Sequence, residues 1–296
     1  MPKLTREVVA PVVAPLAPNG SMLARAIPVS QAVAEFIKIT IYGVNRVGKS
    51  TLAADFPKPS IFISCEPSEA GGAESISLIE GIQLLKLGSK DELFKVCDEL
   101  ISDSYFQTVV LDTGTSLQDM ILCELLGLDK LPEQLRFNGI KKEIYQRRSE
   151  MLKEALRPLL RLKKHVVILN QEKDHRPPDR GDDGKEIIDM TPLFARGVKP
   201  NSFFASDIGG GPVQWLHDAC PWITRLYIAE EVIEGVVPGT NVTMYTKTGK
   251  KERRLLTTLQ ENFAAGGRSP NPSSIPEYIA NPTFEKIRAL AQGTLK

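Results

Sequence analysis

The segment Ile37–Thr51 constrains this chain more than any other. An apolar, β-branched run, Phe36-Ile37-Lys38-Ile39-Thr40-Ile41-Tyr42, ends in Gly43-Val44-Asn45-Arg46-Val47-Gly48-Lys49-Ser50 and leads through Thr51 into a short helix-compatible stretch. The G-x4-G-K-S spacing lets backbone N–H groups converge on a polyphosphate, while Lys49 adds a point charge and Ser50 offers a hydroxyl to Mg²⁺. A helix starting near Lys49 turns its positive end toward the same oxygens. Residues Gly43, Val44, Asn45, Arg46, Val47, Gly48, Lys49, Ser50 and Thr51 are therefore the candidate nucleotide cradle. The buried strand ahead of them is what such a loop requires.

The rest of the chain alternates strand and helix signals. After the loop, about two turns of helix run to Pro57, and Ser60–Cys65 reads as a strand that stops at Glu66-Pro67. Ser89 and Glu92 form a capping box for a helix over Lys90–Ser102. Thr108–Thr113 is a strand closed by an acid, and apolar residues at helical spacing predict a helix from about Asn138 to Leu162. His165–Asn170 and Trp222–Ile228 are further buried strands. Such alternation implies right-handed βαβ units, hence an α/β fold with a mostly parallel central sheet, helices on both faces and ligands at the C-terminal strand ends. Two late strands, Val242–Lys247 and Arg254–Thr258, joined at Thr248–Glu252, predict a C-terminal β-hairpin.

Three regions follow: a Pro/Ala-rich arm over 1–35, a core over 36–262 and an appendage over 263–296. Within the core, 172–212 is rich in Pro, Gly and Asp and too long for an ordinary connection, so it reads as a mobile functional loop. The 296 residues are 42% hydrophobic and 25% charged, as in globular proteins. A net charge of +1 leaves any nucleic-acid site to be local. Cys65, Cys97, Cys123 and Cys220 lack metal or disulfide spacing, which argues for a reducing compartment. No apolar run approaches the roughly 20 residues that span a bilayer, and no signal-peptide layout is present, so a cytoplasmic protein without a membrane partner is expected.

Three polar residues stand at strand ends where the chemistry should gather. Asp112 closes its strand where an acid can hold the water shell of Mg²⁺ opposite Ser50, with Thr113 assisting by hydrogen bonding. Glu66 follows the strand after the loop helix, where a carboxylate can orient or deprotonate an attacking water; Glu69 is the fallback base. Gln171 ends the strand before the long loop and can register the terminal phosphate.

Taken together, Gly43–Ser50, Ile61–Glu66 (IFISCE), Thr108–Leu117 (TVVLDTGTSL) and Val166–Gln171 (VVILNQ) resemble the RecA-like recombinase core over about residues 36–260. The short, bare core resembles in particular the phage-encoded RecA-like ATPases of single-strand annealing and recombination. The resemblance implies a Mg²⁺-dependent ATPase in a bacterial host cell, with Glu66 catalytic, Lys49 and Gln171 at the γ-phosphate, and Ser50 and Asp112 at the metal. It implies single-stranded DNA as partner, with Lys173, His175, Arg176, Arg180, Lys185, Arg196 and Lys199 meeting phosphates and Phe203 and Phe204 meeting bases. A homo-oligomer, filament or ring, follows, in which Lys247 and Lys250, with Arg253 and Arg254 behind them, reach the ATP of the adjacent subunit; a single-strand DNA-binding protein is a further partner. Asp174, Asp179, Asp182, Asp183, Glu186 and Asp189 nearly cancel the charge of the 172–212 loop. They keep open a second reading, a nucleotide-dependent switch or partner-binding P-loop ATPase without direct DNA binding.

Overall fold

Lys38–Gly43 is the strand that precedes the phosphate loop (β1), buried from Ile39 to Gly43 because strands flank it on both sides. In this computed structural model the residues described are 35–65, 71–129, 141–174, 204–206, 215–216, 218–236, 243–260 and 263–295. Strands β2 (Ser60–Ser64), β3 (Ile82–Lys86), β4 (Thr108–Asp112), β5 (His165–Asp174), β6 (Phe204–Ser206), β7 (Trp222–Val236), β8 (Thr243–Leu256), β9 (Gly266–Gly267) and β10 (Tyr278–Ala280) follow. Six of them run parallel in the order β3-β2-β4-β5-β1-β7, then β8 and β10 add antiparallel. Ile63, Leu111, Ile168, Thr40 and Ile223 stand side by side across five strands. This is the expected α/β core with a mostly parallel central sheet.

Alternation along the strands sends each residue to one of two apolar layers. One layer joins Ile61, Ile63, Val109, Leu111, Val166 and Ile168 to helices α2 (Lys90–Ser102), α3 (Gly114–Leu126) and α4 (Lys142–Arg161). The other joins Ile39, Ile41, Val110, Val167 and Leu169 to α1 (Lys49–Ala53) and α5 (Phe284–Ala291). Ser89 caps α2 as expected, accepting from Glu92 N at 3.3 Å, while the Glu92 carboxylate accepts from Gly88 N at 2.8 Å. Among the described residues no helix is long and apolar enough to cross a membrane.

Several expectations are corrected. Thr248–Glu252 is not a hairpin turn: Thr243–Leu256 is one strand, and its partner is β7, from Arg225↔Leu256 to Val236↔Thr243. The turn-forming residues are used by a bulge. Three residues of β8 oppose Glu231, Gly249 takes φ +78°, and Thr248 Oγ1 donates to Glu231 Oε2 at 2.8 Å. A hairpin exists, but it is β7–β8. The segment beyond 263 is no separate appendage either: β10 hydrogen-bonds to β8, α5 packs into the core, and residues 36–296 form one compact unit. Asp55 Oδ2, just past α1, accepts from Phe284 N at 2.7 Å and fastens that helix. The edge strand β3 and helix α3 are additions to the sequence expectation. The first is short and half exposed; the second starts at Thr113, where strand and helix signals abut.

The N-terminal ends of the strands are closed by a polar and aromatic cluster. His165 Nδ1 accepts from Ile37 N at 3.1 Å, and its ring meets Phe36, Phe56 and Phe284 edge-on. Lys164 Nζ donates to Asp103 Oδ2 at 2.9 Å and to the carbonyls of Asp103 and Phe106. Burial, helped by the Lys38 and Arg288 charges, lowers the His165 pKa to about 4. Between that value and about 6.5, where a histidine of the unfolded chain titrates, the unfolded chain binds a proton that the fold refuses, so stability falls as pH drops through this window. Thermal melts of wild type and His165→Asn, which keeps an acceptor for Ile37 N, should show a smaller loss between pH 7 and pH 4.5 in the variant. Equal losses would remove His165 from the acid response.

Candidate nucleotide-binding site

The loop between β1 and α1 is set by two close approaches. A Cβ at Gly43 would lie 2.3 Å from the Leu226 carbonyl oxygen of β7, so the strand leaves room for no side chain there. Gly48 takes φ +94° and Arg46 φ +64°, left-handed turns that wrap the backbone around the space above β1. Helix α1 is shorter than the two turns expected: it spans five residues, since Pro57 and Pro59 follow, and Gly48 gives it no side-chain cap.

Lys49 folds over this space, with Nζ donating to Gly43 O at 2.9 Å and Val44 O at 3.0 Å. Burial lowers its pKa, while the Asp112 and Glu172 carboxylates act in the opposite sense. Beside it, Ser50 Oγ donates to Asp112 Oδ2 at 3.1 Å. Asp112 reaches this point although β5 separates its strand from β1. Burial raises its pKa against the opposing effects of the Ser50 hydrogen bond and the Lys49 charge, so a cation beside it would be favoured. Ser50 and Asp112 are two adjacent hard oxygen donors. That set fits Mg²⁺, which leaves further positions to phosphate and water, and among the described residues no cluster of three or more His, Cys, Asp or Glu offers a metal cage.

Gln171 lies beside Gly43 in the β1–β5 register, and its N–H donates to Thr115 Oγ1 at 3.3 Å. The sequence therefore places Lys49, Ser50, Asp112 and Gln171 at one sheet edge, as the structure does. It also ends β5 too early. The strand runs on to Asp174 and pairs with β6, Glu172↔Ser206 to Asp174↔Phe204, so the long segment starts from a two-stranded stem. Lys173 is exposed on that stem, opposite Ala205. Thr113 does not turn to the metal side; its hydroxyl caps α3, accepting from Ser116 N at 3.0 Å.

Glu66, Glu69, His175, Arg176, Arg180, Lys185, Arg196, Lys199 and Phe203 lie outside the described residues, as do the side chains of Phe204 and Lys247. Lys250 is exposed on β8. Lys247 pairs with Val232, seven residues beyond the last β1–β7 partner, Arg225, or about 23 Å along the strand.

Two features escape the sequence reading. Arg225 holds Glu172 in a bidentate pair at 2.6 and 3.0 Å and stacks 3.9 Å from the Phe263 ring, tying the residue after Gln171 to β7. Arg253 of β8 lies against Gly48. Reading β8 as one alternating strand is the signal that would have separated Arg253 from Arg254.

A family model described as an AAA domain matches residues 35–198. Among solved structures, the crystal structure of the RadB recombinase aligns with 75% of this chain and 89% of its own, at 17% identity and a TM-score of 0.32. No curated protein matches the chain.

Proposed function

Because this chain belongs to the AAA-domain family, we propose that it is a RecA-like P-loop ATPase that hydrolyses ATP with Mg²⁺ and works on single-stranded DNA as a homo-oligomer in recombination or annealing, in a phage-infected bacterial cytoplasm. The observation that carries the ATPase reading is the Ser50–Asp112 contact at 3.1 Å beside the half-buried ammonium of Lys49. The amides of the 44–50 loop and Lys49 bind the phosphates. Ser50 and Asp112 hold Mg²⁺, which when bound offsets the charge on the phosphate oxygens. Glu66 takes a proton from the water whose oxygen attacks the terminal phosphorus, and the bond from that phosphorus to the bridging oxygen breaks. Gln171, beside Gly43, registers the loss of the terminal phosphate and passes it to the stem at Glu172–Asp174.

The DNA reading is supported by where the 172–212 segment is rooted, directly after Gln171. The oligomer reading is supported by the β7–β8 ribbon, which carries Lys247 and Lys250 beyond their own phosphate loop; in an oligomer these lysines would meet a neighbour's nucleotide. The single-strand DNA-binding protein belongs to the same proposal.

The test is ATP hydrolysis by the purified chain with and without single-stranded DNA, at low and moderate salt so that phosphate contacts are not masked. Stimulation by DNA is the expected result. Hydrolysis indifferent to DNA, with no DNA binding at either salt, would replace this reading by the partner-binding switch that the acidic residues of 172–212 favour.

A further inference from the structure

We propose that Arg253 is a nucleotide-contacting residue of its own subunit, a guanidinium that closes over the phosphate loop in cis. This rests on the ATP-binding reading of that loop. A carbon added at Gly48 would lie 3.0 Å from Arg253 Nη1, 3.5 Å from Cδ and 3.9 Å from Cζ, so the side chain is laid along the loop at the residue before Lys49. The register explains how it gets there. Arg253 pairs with Ile228, three residues past Arg225, where β7 and β8 have just cleared the C-terminal edge of the sheet.

Its neighbour shows that this placement is not shared by every basic residue of the strand. Arg254 is committed elsewhere: Nε donates to Glu252 Oε1 at 2.6 Å, Nη2 donates to Glu230 O at 3.3 Å, and the guanidinium stacks 4.3 Å from the Tyr278 ring. Among the described residues, the Arg253 guanidinium has no hydrogen-bond, ion-pair or ring partner, although it is half-buried. Its backbone is held firmly. Asn281 N donates to Arg253 O at 2.7 Å, and β10 pairs with the adjacent residues, Ala280↔Arg254 and Ile279↔Leu255. A planar donor with no acceptor, fixed on a rigid strand beside a phosphate cradle, is suited to a polyphosphate oxygen. It differs in kind from Lys247 and Lys250, which the same ribbon carries away from this loop.

Fluorescent ATP, ADP and AMP analogues titrated into the full chain test the assignment, with Arg253→Gln, Arg253→Lys and Lys49→Ala compared by circular dichroism for folding. One lost charge-assisted contact should weaken ATP binding by Arg253→Gln about 10- to 100-fold, with a smaller loss for ADP and least for AMP, and Arg253→Lys should restore part of it. Mixing Arg253→Gln with Lys49→Ala protein decides between cis and trans. A cis residue gives mixtures no better than the sum of the two; recovered turnover would move Arg253 to a neighbour's site and overturn the proposal. Wild-type affinity in a folded Arg253→Gln would overturn it as well, while leaving the ATPase reading intact. Absence of nucleotide binding by the wild type is the separate result that would sink the ATPase reading and the role of Arg253 with it.

Discussion

Lys49→Ala should reduce ATP turnover by at least about 10²- to 10³-fold, the scale on which one preorganised donor to developing charge is felt. In the structure its ammonium donates to the carbonyls of Gly43 and Val44, the residues that open the loop, so the side chain is already folded over the space a polyphosphate would fill. Partial burial lowers the pKa of this charge, and the Asp112 and Glu172 carboxylates act to keep it protonated. The variant should lose nucleotide binding and turnover together. Glu66→Gln should separate them, retaining ATP binding and losing hydrolysis, because an amide of the same shape cannot take the proton. Equilibrium titration and steady-state rates on both variants check the pair. Normal turnover in Glu66→Gln would return the base to another residue, with Glu69 next in line.

The second large effect concerns stability and lies between two adjacent glycines. A Cβ at Gly267 would fall 1.8 Å from Cε3 and 2.1 Å from Cζ3 of Trp222, whereas a Cβ at Gly266 meets nothing within 4 Å. Trp222 is 3% exposed, and its backbone pairs with both Ile39 of β1 and Gly267 of β9, so the indole cannot step aside. Gly267→Ala should cost about 3 kcal/mol by overpacking, or roughly 6–12 °C in Tm for a chain of this size. Gly266→Ala should stay within about 0.5 kcal/mol of wild type. Thermal or urea unfolding of the two side by side is the check. Equal behaviour would mean that the Trp222 pocket yields.

The parts of this protein legible in its sequence are those where one local signal decides the outcome. The phosphate loop is fixed by glycine spacing, α2 by Ser89 and Glu92, and Asp112 by its place after an uninterrupted apolar run. The sheet edge that gathers Lys49, Ser50, Asp112 and Gln171 follows from strand polarity alone. What failed to show was tertiary. Thr248-Gly249-Lys250 carries the chemistry of a turn, and nothing local says that a bulge opposite Glu231 will use it. The continuation of β5 through Lys173 depends on a partner strand some thirty residues later in the chain, at Phe204–Ser206. Arg253 and Arg254 are indistinguishable by type, and only the pairing partner of their strand sends one to the phosphate loop and the other to Tyr278.

The cluster around His165 has a bearing on how this chain can be altered. It grips the sheet at one end of β1, and the phosphate loop leaves from the other, about 20 Å away along six residues. Anchorage and chemistry thus occupy opposite poles of the same strands. Changes that harden the anchored pole, by better packing around Phe56 and Phe284, can be accumulated without touching the pole that carries the phosphate loop. The usual trade between durability and turnover is relaxed by distance, because stabilising changes at the anchored pole need not touch the loops that carry the chemistry.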